Sequence, residues 1–318
     1  MLSRRWFIAL LAFIGFASGM ASGAEPSRLR VLTSISPLYC WTANVAGSLA
    51  TVENLLPADV SPHDYQFRPR DLKRIGAADV IVLNGLGLED WFARAIRANS
   101  KDAKMKVVRI ADGLPEAVLV RHLPTIEVGA GKGTTPALDH DHDHHDAGGQ
   151  ANPHLWLDPQ IARHGVSNIL HALQTADPAN TAGYAMNATA YLAKLDTLDA
   201  EIRAATTTIR GRPVVTFHDA FPYFCRRYGL DLVGVIEEVP GTDPSPRYLA
   251  ALLKVVRAKG VKVLFTEPSS NPRLAKRLAD DLGIAVAELD VLETGALTPT
   301  SYEDGMRRNL AVLRQALR

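Results

Sequence analysis

Short apolar runs recur along this chain and alternate with stretches in which apolar positions return every three or four residues. "RVLTSI" (30–35), "TVENLL" (51–56), "DVIVLNG" (79–85) and "KVVRI" (106–110) have the length and the Val/Ile/Leu content of buried parallel strands. Helical periodicity follows at 38–49, 69–77 and 89–99. The second half repeats the pattern, with strands expected at "PVVTFH" (213–218), "LVGVIE" (232–237), "KVLFTE" (262–267) and "AVAELD" (285–290). Helices are expected near 219–228, 246–258, 272–282 and 301–317, and one beginning near Pro159.

The halves also align residue by residue. "VLTSISPLYCW" (31–41) matches "VVTFHDAFPYFCR" (214–226), and "ADVSPHDY" (58–65) matches "GTDPSPRY" (241–248), at an offset close to 183 residues that holds through "DVIVLNG" and "KVLFTEP". Between them, residues 181–211 contain no proline and no glycine from 184 to 210. Tyr184, Tyr191, Leu192, Leu195, Leu198 and Ile202 return at helical spacing before Gly211 closes the run. The expected fold is α/β: two similar (βα) lobes with parallel sheets, bridged by a long rigid helix. A flexible linker would be rich in Gly, Ser or Pro, and this segment is not. The chain divides into a leader over 1–24, a first lobe over 25–180, the bridging helix over 181–211 and a second lobe over 212–318.

The leader changes the compartment. Arg4 and Arg5 precede an apolar run that ends in small residues before Glu25, the pattern of a cleaved export signal, and "SRRWF" resembles the twin-arginine motif. The run is too short for a spanning helix, which needs about 20 apolar residues, and no cysteine at the cleavage region offers a lipid anchor. A mature protein beginning near Ala24 or Glu25 is expected free in a bacterial periplasm. Its formal charge, −1 once Arg4 and Arg5 are removed from the +1 of the whole chain, offers no basic patch for nucleic acid. In an oxidising compartment Cys40 and Cys225 are compatible with a disulfide and equally with two buried free thiols.

Ligands of open parallel sheets bind beyond the carboxyl ends of the strands. Four metal-competent residues are expected there: His63 in "SPHDYQ", His154 in "NPHLWLDP", His218 ending "VVTFH" and Asp290 ending "AVAELD". Three imidazoles and a carboxylate make a tetrahedral set suited to Zn²⁺. Taken singly, each has a plainer reading: a loop histidine beside proline, a helix-capping pair, or, for Asp290, an Asx turn. Their shared placement at strand ends in a duplicated chain is what favours a metal. His122, His164 and His171 have no partners at ligand spacing and read as structural or surface residues.

With these motifs in view, the chain resembles the periplasmic zinc- and manganese-binding proteins of metal-uptake ABC transporters. The resemblance rests on "SPHDYQFRPRDLKRI", "NPHLWLDP", "VVTFHDAFPYF", "FTEPSSNP" and "ELDVL", in the family's order over nearly all of the mature chain. It implies metal held between the lobes by His63, His154 and His218, with Asp290 or water completing the set, and delivery to an ABC-transporter permease. Manganese members usually carry Glu where this chain has His218, so imidazole there favours zinc. One departure is Pro62, where many relatives have an acidic residue. Asp158 and Glu267 are candidates for orienting the ligands, Asp158 toward His154.

The run "DHDHDHHD" holds His140, His142, His144 and His145 among glycines; it offers many interchangeable ligand sets and no single geometry. It resembles the loop of zinc-specific family members and reads as an accessory collector or sensor. The expected protein is a monomeric, non-enzymatic zinc carrier, with a periplasmic zinc chaperone as a further partner. The rivals are a manganese- or iron-binding relative, a zinc-buffering protein or adhesin acting through the loop, and a zinc hydrolase, for which no HExxH-type motif is present.

Overall fold

The computed structural model describes residues 28–92, 95, 105–121, 151–237, 244–268 and 272–318. The leader, His122 and the run from His140 to His145 lie outside the described residues. The first lobe begins β1 (Leu29–Thr33), α1 (Ser36–Ala46), β2 (Ala50–Asn54), α2 (Pro69–Ala77), β3 (Val80–Leu83) and β4 (Lys106–Arg109). After α3 (Pro159–Ala176) and the long α4 (Thr181–Thr206), the second lobe runs β5 (Pro213–His218), α5 (Pro222–Tyr228), β6 (Asp231–Glu237), α6 (Pro246–Lys259), β7 (Val263–Thr266), α7 (Pro272–Leu282), β8 (Ala285–Glu288) and α8 (Ser301–Ala316). Of the helix expected over 89–99, residues 90–92 and 95 are described and helical.

Among the described residues each lobe carries one four-stranded sheet, ordered β2-β1-β3-β4 and β6-β5-β7-β8, and every strand pairing is parallel. The two sheets have one topology, as the repeat at 183 residues requires: β3 and β7 begin at 80 and 263. Strands such as β3 are buried along their whole length, which is why they read as unbroken apolar runs instead of alternating ones.

Local chemistry sets the helix ends. Proline occupies the first turn of α1, α2, α3, α5 and α6, where its missing N–H costs nothing. Asp158 caps α3 by accepting from Gln160 N at 2.8 Å, and Ser245 caps α6. Gly47 ends α1 at φ 55°, and a Cβ there would stand 2.7 Å from Asn187 Nδ2 of α4, so that turn requires glycine. The 26 residues of α4 span about 39 Å at 1.5 Å per residue. A 3₁₀ turn over Thr207–Ile209 continues it toward the second lobe.

The lobes share packing. One apolar core runs from β1 and α1 through Tyr191, Leu195 and Leu198 of α4 to Val214, Phe265 and Tyr302, and a smaller one packs the outer face of the second sheet against α6 and α7. The last helix, α8, returns to the first lobe: Tyr302 sets its ring edge-on to Trp41 at 5.3 Å, and Asn44 donates to Pro299 O at 2.7 Å just before α8. Cys40 and Cys225 are both free and buried. The disulfide considered above does not form. Cys40 lies within 3.7 Å of the Tyr191 hydroxyl and 3.5 Å of Glu303, and Cys225 lines an apolar void beneath β5. Burial pushes the Cys40 thiol up to about 12 and Cys225 higher still.

Candidate metal centre

Three histidines from both lobes converge between the sheets. Among the described residues, His63, His154 and His218 form the group of metal-competent side chains, their ligand atoms all within 4.8 Å of one another. His63 Nε2 is 3.4 Å from His154 Nε2, and His154 Nε2 is 3.1 Å from His218 Nε2. A tetrahedral ion with Zn–N bonds of about 2.0–2.1 Å separates its nitrogens by about 3.3–3.4 Å. Two of the three nitrogen spacings are already close to an edge of such a tetrahedron.

Each histidine arrives by a different local device. His218 is the last residue of β5, 5% exposed. His154 follows the rigid Asn152–Pro153 step and precedes the 3₁₀ turn Leu155–Leu157. His63 sits in the surface turn after β2, where its backbone N–H donates to Ser61 Oγ at 3.2 Å; its side chain is 22% exposed and closes the outer side of the group.

The orientation of two rings follows from their partners. Glu267, buried just after β7, accepts from His218 Nδ1 at 2.5 Å and from its backbone N–H at 3.4 Å. A carboxylate only accepts, so Nδ1 carries a proton, and in the neutral ring Nε2 presents a lone pair. Burial alone would lower the His218 pKa, but the hydrogen bond to Glu267 and its charge outweigh burial and raise it. His154 is held by Asn152: Asn152 Oδ1 lies 3.0 Å from both the backbone N–H and Nδ1 of His154. Asp158, the candidate for orienting His154, is engaged by other partners. Its carboxylate caps α3 and faces Arg227 at 3.2 Å, because a residue at the helix N-cap turns its oxygen back to the helix amides.

Asp290 is not part of the group. Its Oδ1 accepts from Leu292 N at 2.8 Å, an Asx turn, and its Oδ2 lies 3.9 Å from Arg308. Asn309 grips its backbone through two hydrogen bonds, at 2.8 and 2.6 Å. The turn carries Leu292 into the left-handed region, φ 67°, and brings the next residue inward. That residue, Glu293, has its carboxylate oxygen Oε2 3.8 Å from His63 Nε2. Glu293 is 6% exposed, and Oε2 has no hydrogen-bond partner among the described residues. Burial pushes its acid up to about 7. A buried carboxylate oxygen without a donor, aimed at an imidazole cluster, is an arrangement that a cation satisfies. Sequence reasoning overlooked Glu293 and Asn152. The signals were present, a second carboxylate three residues after Asp290 and an amide two residues before His154.

Further charge surrounds the group. Asp219 and Glu237 are both buried, Glu237 opposite His218 in the β5–β6 register. The imidazoles therefore sit among buried carboxylates at the ends of several strands, a setting that favours a divalent cation over an anion.

The family model described as "ZnuA: Zinc-uptake complex component A periplasmic" matches residues 31–316. The zinc-binding protein AdcA of Streptococcus pyogenes serotype M6 is 31% identical over 299 residues, covering 90% of this chain and 56% of AdcA, so the chain spans about half that relative's length. The high-affinity zinc uptake system protein ZnuA of Bacillus subtilis is 29% identical, covering 97% of this chain and 94% of its own. Among solved structures, the solute-binding protein FpvC of Pseudomonas aeruginosa in complex with Ni²⁺ matches with a TM-score of 0.75 at 30% identity, over 91% of this chain and 97% of FpvC.

Proposed function

We propose, from the premise that this chain belongs to the ZnuA family of periplasmic zinc-uptake components, that it captures Zn²⁺ between its lobes and delivers it to an ABC-type permease. The observation that carries the reading is the convergence of His63, His154 and His218 within 4.8 Å. Their Nε2 atoms are the ligands, and the Glu293 carboxylate completes the set in place of Asp290. Three imidazoles and one carboxylate suit a four-coordinate zinc site and disfavour manganese, which prefers oxygen ligands.

The chain acts in the periplasm as a monomer after removal of its leader, and its family is one of solute-binding proteins rather than enzymes. Among the described residues no helix is long and apolar enough to cross a membrane. The segment containing His140, His142, His144 and His145 serves as an accessory collector. The support is positional: Arg121 pairs with Ala151 across its base, three residues before His154. A periplasmic zinc chaperone is a further partner in this reading. A zinc hydrolase would need an open coordination position with a general base beside it; Glu267, the residue that could serve, is engaged by His218.

The nickel complex of FpvC makes the metal the first thing to test. The mature protein lacking residues 139–146 is stripped, exposed to limiting zinc with excess manganese, and weighed by native mass spectrometry. One zinc retained, and lost in His154→Ala, is the expected result. No metal retained would move the function into the deleted segment, and manganese retained would keep the site and refute its specificity.

A further inference from the structure

Asn152 is fully buried, and all its polar groups are engaged. Its N–H donates to Val120 O at 2.7 Å, and its carbonyl accepts from Tyr223 Oη at 2.7 Å. Its side-chain Nδ2 donates to Asp219 O at 2.6 Å, and Oδ1 faces His154 N and Nδ1, each at 3.0 Å. These partners fix the amide without ambiguity. Asp219 O can only accept, so that end is the NH₂; the His154 backbone N–H can only donate, so the other end is the oxygen. An oxygen facing His154 Nδ1 leaves one neutral tautomer, protonated on Nδ1 with the lone pair on Nε2.

The same side chain joins the two lobes. Asp219 directly follows His218, whereas His154 belongs to the segment entering α3. One amide therefore sets the tautomer of one histidine and pins the backbone next to the other. Tyr223 of α5 extends the tie, since its hydroxyl also accepts from Val120 N at 3.2 Å.

We propose that Asn152 is a positioning residue for zinc capture: it locks His154 in its metal-binding tautomer and holds the His154 and His218 segments at ligand spacing before metal arrives. The inference rests on the zinc-binding reading above. Losing an outer partner of a metal-bound histidine typically costs about 10–100-fold in affinity, and here one side chain supplies both the partner and the tie.

The test compares the full mature chain with Asn152→Ala and Asn152→Asp. Zinc affinity is read by competition with a chelating dye, and the apo His154 tautomer by ¹⁵N chemical shifts of the ring. Asn152→Asp keeps an acceptor for Nδ1–H and loses the Nδ2 donor to Asp219. The expected result is a loss of about 10–100-fold in Asn152→Ala with a mixed His154 tautomer. Asn152→Asp should keep the Nδ1–H form and bind zinc more tightly than Asn152→Ala. Zinc bound by Asn152→Ala as tightly as by wild type, or lost while His154 stays wholly Nδ1–H, would overturn the proposal. Should Asn152→Ala not fold, Asn152→Asp decides alone: a shift of its His154 to the Nε2–H form refutes the role. A wild-type chain that binds no zinc would instead refute the underlying reading.

Discussion

His154 Nε2 and His218 Nε2 stand 3.1 Å apart although their residues enter from opposite lobes. Asn152 and Glu267 hold a proton of each ring on Nδ1, so in the neutral rings the two facing nitrogens are bare. Two lone pairs at that distance repel unless a proton or a cation lies between them. Replacing either histidine with alanine should therefore weaken zinc by more than the 10–100-fold typical of a lost outer partner. It should also remove the thermal shift that zinc gives the wild type, about 2.7 kcal/mol when zinc is present at 100 times Kd. Calorimetric titration and a melt of each variant check both; a variant that still melts higher with zinc would mean that the metal sits elsewhere.

Glu293 and Asp290 offer a direct contrast. Glu293→Gln keeps the size and removes the charge facing His63, and zinc affinity should fall by about tenfold or more, 1.4 kcal/mol. Asp290→Asn keeps an oxygen for the Leu292 amide, so the turn persists and affinity should stay within about a factor of three. If Asp290→Asn were the damaging change, the fourth ligand would be misassigned.

The same carboxyl makes apo stability depend on pH. Burial raises Glu293 from 4.5 to about 7, so between those values the folded chain holds a proton that the unfolded chain has lost. Its contribution to stability is full below about pH 4.5 and is lost as pH rises through 7, by on the order of 3 kcal/mol at most. Urea unfolding of apo protein at pH 5 and pH 8 should show Glu293→Gln gaining on wild type at the higher pH. Saturating zinc should reverse that advantage. Equal curves at both pH values would mean that Glu293 is solvated in the apo protein.

The apolar runs located all eight strands of the described residues to within a few residues because parallel strands buried on both faces leave that signature, and "DVIVLNG" and "KVLFTEP" marked one repeat. His63, His154 and His218 were legible because chemistry collects at strand ends. Glu293 was not, because a turn through Leu292 at φ 67° decides which of two nearby carboxylates points inward, and a leucine there carries no left-handed signal. Asp290 makes the Asx turn of its plainer reading. Asp158 likewise went to a helix cap, where an acidic residue before Pro159 is expected on local grounds.

The cysteines follow from the repeat. Cys40 in α1 and Cys225 in α5 occupy matching first helices, one in each lobe, so symmetry separates them. With both thiols buried and Cys40 raised to about 12, the thiolate is scarce at neutral pH. Native protein should react with a thiol-specific dye at pH 8 far more slowly than unfolded protein, and reductant should leave the melting temperature unchanged. Rapid labelling of two thiols in the folded state would contradict the burial.

One guanidinium ties three elements together. Arg227 of α5 meets Asp199 of α4 through Nε and Nη2, each at 2.7 Å, and faces Asp158 at the start of α3 at 3.2 Å. Tyr228 adds a hydrogen bond to Asp199 at 3.0 Å. The side chains are 18%, 10% and 8% exposed, so water screens them weakly. Removing the cation leaves two buried carboxylates facing one another, a change that typically costs about 3–5 kcal/mol. Arg227→Met should show that loss in urea unfolding, and adding Asp158→Asn and Asp199→Asn should restore much of it by removing the stranded charge. Below its unfolding midpoint Arg227→Met should still take up one zinc, because the ligands are held by Asn152 and Glu267. A loss of stability under about 1 kcal/mol, the worth of an exposed pair, would show that the three elements are joined by their apolar core alone.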